Sequence, residues 1–191
     1  MDRRHRPQAL LNSVIFFDFR SLHGREDLAG RLRERLLERA VATPRFLRQM
    51  AVQALSARPP VGLFGDFVTE RSQEGRETLD LKKAGARLFV DAARVIGLAS
   101  GVPHTSTAER LRQGGAKLEI LPEETDAFVE SFFFIQMLRL RRQAASPDGC
   151  ARAESNRIEP EGLNEVERRM LKECLRQAGK LQTRLALDYQ L

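Results

Sequence analysis

Apolar residues in this chain recur mostly at three- and four-residue steps, the period of helices with one face against a core. From Glu26 to about Thr43, Leu28, Leu32, Leu36 and Ala40 make such a face, with Arg31, Glu34, Arg35, Glu38 and Arg39 around it. Pro44 suits the first turn of a second helix, and Phe46, Leu47, Met50, Ala51, Ala54 and Leu55 carry the pattern to about Ala57. Pro59 and Pro60 stop it. A helix over 84–100 puts Leu88, Ala92, Val95 and Ala99 on one side and Arg87, Asp91 and Arg94 on the other. Thr105 or Ser106 then caps a short helix through Gln113, with Glu109 as the capping-box acid and Gly114 and Gly115 as its stop. Pro122 opens a long helix to about Ala145; it is apolar nearly all round from Phe128 to Leu138 and is expected at the centre of a bundle. A polar linker from Ser146 to Pro160 leads to a last helix, about Leu163 to Asp188. Its stripe is Leu163, Val166, Met170, Cys174, Ala178, Leu181 and Leu185.

Two stretches depart from the helical period. Val14 to Phe19 is a run of β-branched and aromatic residues with one acid, and reads as a buried strand ended by His23 and Gly24. Leu63 to Thr69 and Thr78 to Lys82 flank a polar, glycine-containing loop and read as a small hairpin. The fold class expected is therefore mainly α: a bundle of about six helices with a short N-terminal β-strand and a small β-hairpin.

Composition narrows the function classes. The 191 residues suffice for one domain with a sizeable core, without disulfide or metal staples. No apolar run reaches the ~20 residues of a membrane span, and the basic opening from Met1 to Arg6 lacks a signal peptide's apolar stretch, so a soluble cytoplasmic protein is expected. The net charge is +6, and 27 of the 32 basic residues are arginine, whose fork suits phosphate and carboxylate. These arginines alternate with glutamates along helices. With one tyrosine and no tryptophan to stack bases, a nucleic-acid partner is disfavoured. Cys150 and Cys174 stand far apart and the three histidines are scattered, which excludes the usual zinc spacings. Cys174 falls on the last helix's stripe as a small core residue, and Cys150 falls in the linker.

Chemistry has three candidate seats, since no phosphate loop, HExxH or serine triad signature occurs. Asp18 lies in an apolar run and must find water, a metal or an arginine, because an unpaired buried carboxylate is costly. It either pairs or caps locally, as with Arg20, or serves as a Mg²⁺ ligand. Asp80, Lys82 and Lys83 precede a helix start, where lysines and backbone N–H groups can meet an anion, or where the lysines are simply solvated. Arg87, Asp91 and Arg94 share one helix face, as a surface pairing or as an arginine held by Asp91 and aimed at a phosphate.

The ordered set of short strings resembles one family. Asn12-Ser-Val-Ile-Phe-Phe-Asp-Phe-Arg-Ser-Leu-His-Gly24 looks like the opening of the putative nucleotidyltransferase substrate-binding domain. Arg58-Pro-Pro-Val-Gly-Leu-Phe64, Leu79-Asp-Leu-Lys82, Val90-Asp-Ala-Ala-Arg94, Thr107-Ala-Glu-Arg-Leu111 and Glu167-Arg-Arg-Met-Leu-Lys172 follow in the family's order. The resemblance spans about residues 10 to 190. It implies a domain that follows a polymerase-β-type nucleotidyltransferase domain, with CBS and cyclic-nucleotide-binding modules further upstream, in bacterial signalling proteins. The arrangement is similar to the helical domains of glutamine synthetase adenylyltransferase and the nitrogen-control uridylyltransferase.

On that resemblance, residues 1–24 are a remnant of the last strand of the upstream catalytic domain, and 25–191 are the helical substrate-binding domain. Asp18 would match the third catalytic carboxylate, binding Mg²⁺ once the catalytic domain is joined. Lys82, Lys83 and Arg94 would meet phosphates or acceptor, with Asp80 and Asp91 orienting them. The glycine-flanking Ala84 and Ala86 depart from the family's glycine-rich loop. No Gly-Ser followed by paired acids precedes residue 14, so this polypeptide alone is expected to be catalytically silent. The partners implied are the upstream catalytic domain, a nucleoside triphosphate and an acceptor, with a protein one candidate. A non-catalytic regulatory or dimerisation module, forming a homodimer, is the rival reading.

Overall fold

A computed structural model describes residues 15–62, 65–72, 75–145 and 156–191. Among these residues six α-helices carry the architecture: α1 (Glu26–Val41), α2 (Pro44–Ala54), α3 (Arg87–Ala99), α4 (Thr107–Lys117), α5 (Pro122–Ala144) and α6 (Glu165–Asp188). A three-stranded antiparallel sheet, β1 (Glu70–Arg71), β2 (Glu77–Asp80) and β3 (Arg157–Ile158), is inserted at one side, in the order β1-β2-β3. The mainly helical class with a small hairpin is the one expected from sequence.

The boundaries follow from residue chemistry. Prolines open α2 and α5, where the missing N–H costs nothing. The Asn164 side chain caps α6 by accepting from the Glu167 N–H at 2.9 Å. The hairpin sits later than its hydrophobic runs suggest. Glu70 pairs with Thr78 and Arg71 with Glu77, while Val61 and Phe67 make a separate bridge. The unanticipated β3 pairs Leu79 with Ile158 and Asp80 with Arg157. Asn156 ties β3 to α5: its side-chain oxygen accepts two bonds from Arg139, at 3.1 and 2.9 Å, and one from Gln143.

Four expectations are corrected. The segment Ile15–Asp18 is a 3₁₀ turn, not a strand, and Phe16 is exposed. The helix at the centre is α3 rather than α5. Nine of its residues are buried, and the small Ala92, Ala93 and Gly97 let neighbours approach on several sides. α5 buries Phe128, Val129, Phe132, Ile135 and Leu138 but turns Phe133, Met137 and Leu140 outward. Gly114 and Gly115 do not end α4, which runs on to Lys117. A Cβ at Gly114 would stand 2.6 Å from the Ile96 side chain, so the glycine is there for close packing of α4 on α3. Ser106 occupies the cap position of α4 but makes no side-chain cap bond, and Glu109 accepts from Gln113 instead.

Two stripes are also rotated from their expected positions. Among the described side chains of α1 only Ala40 is buried, and Leu28 and Leu32 stay about half exposed. On α6 the first buried position is Leu171, with Val166 and Met170 outside. Cys174 is buried as expected, and burial pushes its thiol up to about 11. Cys150 lies outside the described residues.

Candidate functional site

Asp18 is where α3 and α4 grip the turn that precedes α1. It is delivered by the 3₁₀ turn and keeps about a third of its side chain exposed. Arg94, from the middle of α3, donates to its Oδ2 at 2.5 Å. Arg110, from the first half of α4, donates to Oδ1 at 2.7 Å and to the Phe17 carbonyl at 3.1 Å. Arg33, from α1, donates to the Phe19 carbonyl and lies over the Phe19 ring, 4.6 Å from its centroid.

Both clamping arginines are nine-tenths buried, Arg94 at 8% and Arg110 at 4% exposure. Their placement has a local cause. A Cβ on Gly97 would come within 2.8 Å of the Arg110 Cγ, so the glycine opens the channel that the Arg110 stem fills. Arg94 is held from its own helix, donating to Asp91 at 3.0 Å, and Arg87 donates to the other oxygen of Asp91 at 3.0 Å. The Arg87–Asp91–Arg94 face is thus shared as the spacing predicts, but Arg94 is buried rather than a surface charge. Its Nε is buried without a hydrogen-bond partner.

Electrostatics follow the geometry. Burial works to raise the Asp18 carboxyl, but the hydrogen bonds and charges of Arg94 and Arg110 outweigh it and hold the group below the usual carboxylate range. Arg110 is pressed below its ordinary value by burial and by the nearby charges of Arg94 and Arg33, with Asp18 opposing.

These contacts decide what Asp18 can hold. Both of its oxygens are committed to guanidinium groups, and the arginines would repel a divalent cation. Among the described residues no group of three or more histidine, cysteine or acidic side chains is placed to hold a metal. The residues present do not fit Mg²⁺ at Asp18.

Asp80, Lys82 and Lys83 form a separate feature. The buried Asp80 carboxylate accepts from the backbone N–H groups of Lys82 and Lys83, each at 2.9 Å. It therefore fixes the start of the π-helical turn Lys82–Ala86, which runs into α3 and is closed by the Ala86 N–H to the Leu81 carbonyl at 2.8 Å. Asp80 orients main chain rather than lysine amines, and both lysine side chains are exposed. Twelve residues separate Lys82 from Arg94, roughly 18 Å at helical rise. The structure joins Asp18, Asp91 and Arg94 in one cluster and leaves Asp80, Lys82 and Lys83 in another.

Sequence reading missed Arg110 and Arg33. For Arg110 a signal existed: it stands four residues before Gly114, on the face whose glycines pack against α3.

The fold is a helical bundle in which two buried arginines clamp an acid from the turn that precedes the first helix. Residues 44–189 match the family described as "Putative nucleotidyltransferase substrate binding domain", and the chain belongs to that family. No curated protein and no solved structure matched it. Arg94 and Arg110 lie within the matched span, whereas Asp18 and α1 precede it.

Proposed function

We propose that this chain is the helical substrate-binding half of a bacterial, cytoplasmic signalling nucleotidyltransferase. Its partner is a catalytic domain that transfers a nucleotidyl group from a nucleoside triphosphate to an acceptor, a protein being one candidate. Alone, the chain binds and positions but does not catalyse. The family match over 44–189 supports the reading most directly.

Within this reading, Asp18 is a positioning residue. Its clamp by Arg94 and Arg110 fastens the turn before the family domain onto the bundle. The half-exposed Leu28 and Leu32 of α1 offer apolar surface beside that segment for the catalytic half to cover. Lys82 and Lys83, solvent-exposed at the helix start, face the acceptor. No helix among the described residues is long and apolar enough to cross a membrane.

The test is thermal unfolding of the 191-residue protein with each nucleoside triphosphate. A ligand that binds only the folded state raises the melting temperature with concentration. A rise with at least one nucleotide, and no transfer of labelled nucleotide by the chain alone, is expected. Unchanged melting with all four at millimolar concentration overturns the reading.

A second reading, a regulatory or dimerisation module, is favoured by the outward stripe Phe133, Met137 and Leu140 on α5. Light scattering separates the two. A stable dimer abolished by Phe133→Glu, with no nucleotide-induced shift, supports the module.

A further inference from the structure

A groove of about 680 Å³ opens between the sheet and the C-terminal part of α5, well away in sequence from the Asp18 clamp. That size is typical of sites for small organic ligands. Leu138, Ile158 and Leu163 are among the side chains that line it, the first two buried. Among the described residues, its lining carries Arg76, Arg141, Arg142 and Arg157 against one acid, Glu159.

The four arginines are not equivalent. Arg157 is three-quarters buried and stiffly held, donating to Thr78 at 3.0 Å and to Glu70 at 2.7 Å. Arg76 pairs with Glu159 at 2.8 Å, and Arg141 pairs with Glu167. Arg142 spends only its Nε, on the Arg157 carbonyl at 3.2 Å. Among the described residues no carboxylate pairs with it, and its two terminal nitrogens remain for a ligand. An unspent guanidinium fork on an arginine-rich rim, beside apolar side chains, suits a molecule with a flat apolar part and several phosphate oxygens.

We infer that this groove is the phosphate-gripping site for a nucleoside di- or triphosphate, with Arg142 on the phosphates and the base against Leu138 and Ile158. The inference rests on the substrate-binding reading and moves its nucleotide site away from Lys82, Lys83 and Arg94. None of the groove arginines was singled out by the sequence, because they come together only through the pairing of β2 with β3 and the packing of α5.

The experiment is isothermal titration of the full chain with ATP, GTP, CTP and UTP, and with inorganic tripolyphosphate as competitor. Four proteins are compared: wild type, Arg142→Glu, Arg141→Ala and the double variant Lys82→Glu/Lys83→Glu. Arg142 is exposed and bonds one carbonyl, so its variant should melt as wild type does. Nucleotide affinity is expected to fall about tenfold or more in Arg142→Glu and less in Arg141→Ala. It should stay within about twofold in the lysine double variant, which keeps the Asp80 cap. Tripolyphosphate should displace the nucleotide. Binding that survives Arg142→Glu, or that is lost with the lysines instead, overturns the groove while leaving the substrate-binding reading standing. Nucleotide that tripolyphosphate cannot displace also overturns it. No binding to wild type by any nucleotide overturns both.

Discussion

Asp18 and Arg110 meet at 2.7 Å although 92 residues of chain separate them. With Arg94 on the other oxygen, the carboxylate neutralises two guanidinium groups that α3 and α4 have taken almost wholly out of water. Removing the acid leaves those charges buried, with only Asp91 near Arg94 and a carbonyl near Arg110. Asp18→Ala should therefore cost about 3 kcal/mol in urea unfolding. Asp27→Ala, which breaks surface pairs with Arg25 and Arg31, should cost less than about 1 kcal/mol. Similar losses in the two variants would mean that the clamp is only a surface contact.

The same clamp sets an acid limit. The folded Asp18 pKa lies below its ordinary value, so the folded state binds its proton less readily than the unfolded chain does. Its contribution is complete above the unfolded carboxyl pKa of about 3.9 and fades as pH falls through the lower folded value. Carboxyl NMR should show Asp18 titrating below the ordinary carboxylate range, with the Phe17 and Phe19 amides shifting in step with it. In Arg110→Met the Asp18 midpoint should move upward, because one of the two guanidinium groups holding it down is gone. An unmoved midpoint would assign the effect to Arg94 alone.

The helices were legible because each follows local periodicity and punctuation, as Pro44 and Pro122 show. What escaped was decided by distant partners. The run around Asp18 has strand composition, but Arg94, Arg110 and Arg33 grip Asp18 and the Phe17 and Phe19 carbonyls, and a turn results. β3 is two residues long and exists through its pairing with Leu79 and Asp80, which no local pattern encodes. The centre of the bundle was misplaced because hydrophobicity marked α5, whereas close approach depends on small residues, and those are in α3. The Arg94 face was legible as a shared face but not as a buried one. Burial came from Asp18, Arg110 and Gly97, which lie elsewhere in the chain.

Glycines allow a test whose sign depends on packing. Gly30 lies in α1 with nothing within 4 Å of where a Cβ would sit. Gly30→Ala should stabilise the protein by about 1 kcal/mol through helix propensity alone. Gly114 lies where α4 packs against α3, and its Cβ would meet the Ile96 side chain at 2.6 Å and the Ile96 backbone at 3.4 Å. Gly114→Ala gains the same propensity, but overpacking of about 1–3 kcal/mol opposes it, giving a net loss of up to about 2 kcal/mol. Chemical denaturation of both variants reads the two signs. Stabilisation by Gly114→Ala would show that the helices can part at no cost.

Asp80 separates a structural role from a binding one. Its single Oδ1 accepts from two backbone N–H groups at the start of the π-helical turn, so Asp80→Ala orphans two donors beside a buried strand end. Loss of a capping acceptor costs about 0.5–2 kcal/mol, and the upper end is expected because Asp80 is buried. Asp80→Asn keeps an acceptor oxygen in place and should recover most of that loss. If Asp80 instead served to hold the lysine amines, Asn would behave like Ala in nucleotide or acceptor binding while restoring stability. Measuring both variants by denaturant unfolding and by ligand titration distinguishes these cases. With main-chain capping as its role, stability and any binding defect rise and fall together, and Asn rescues both.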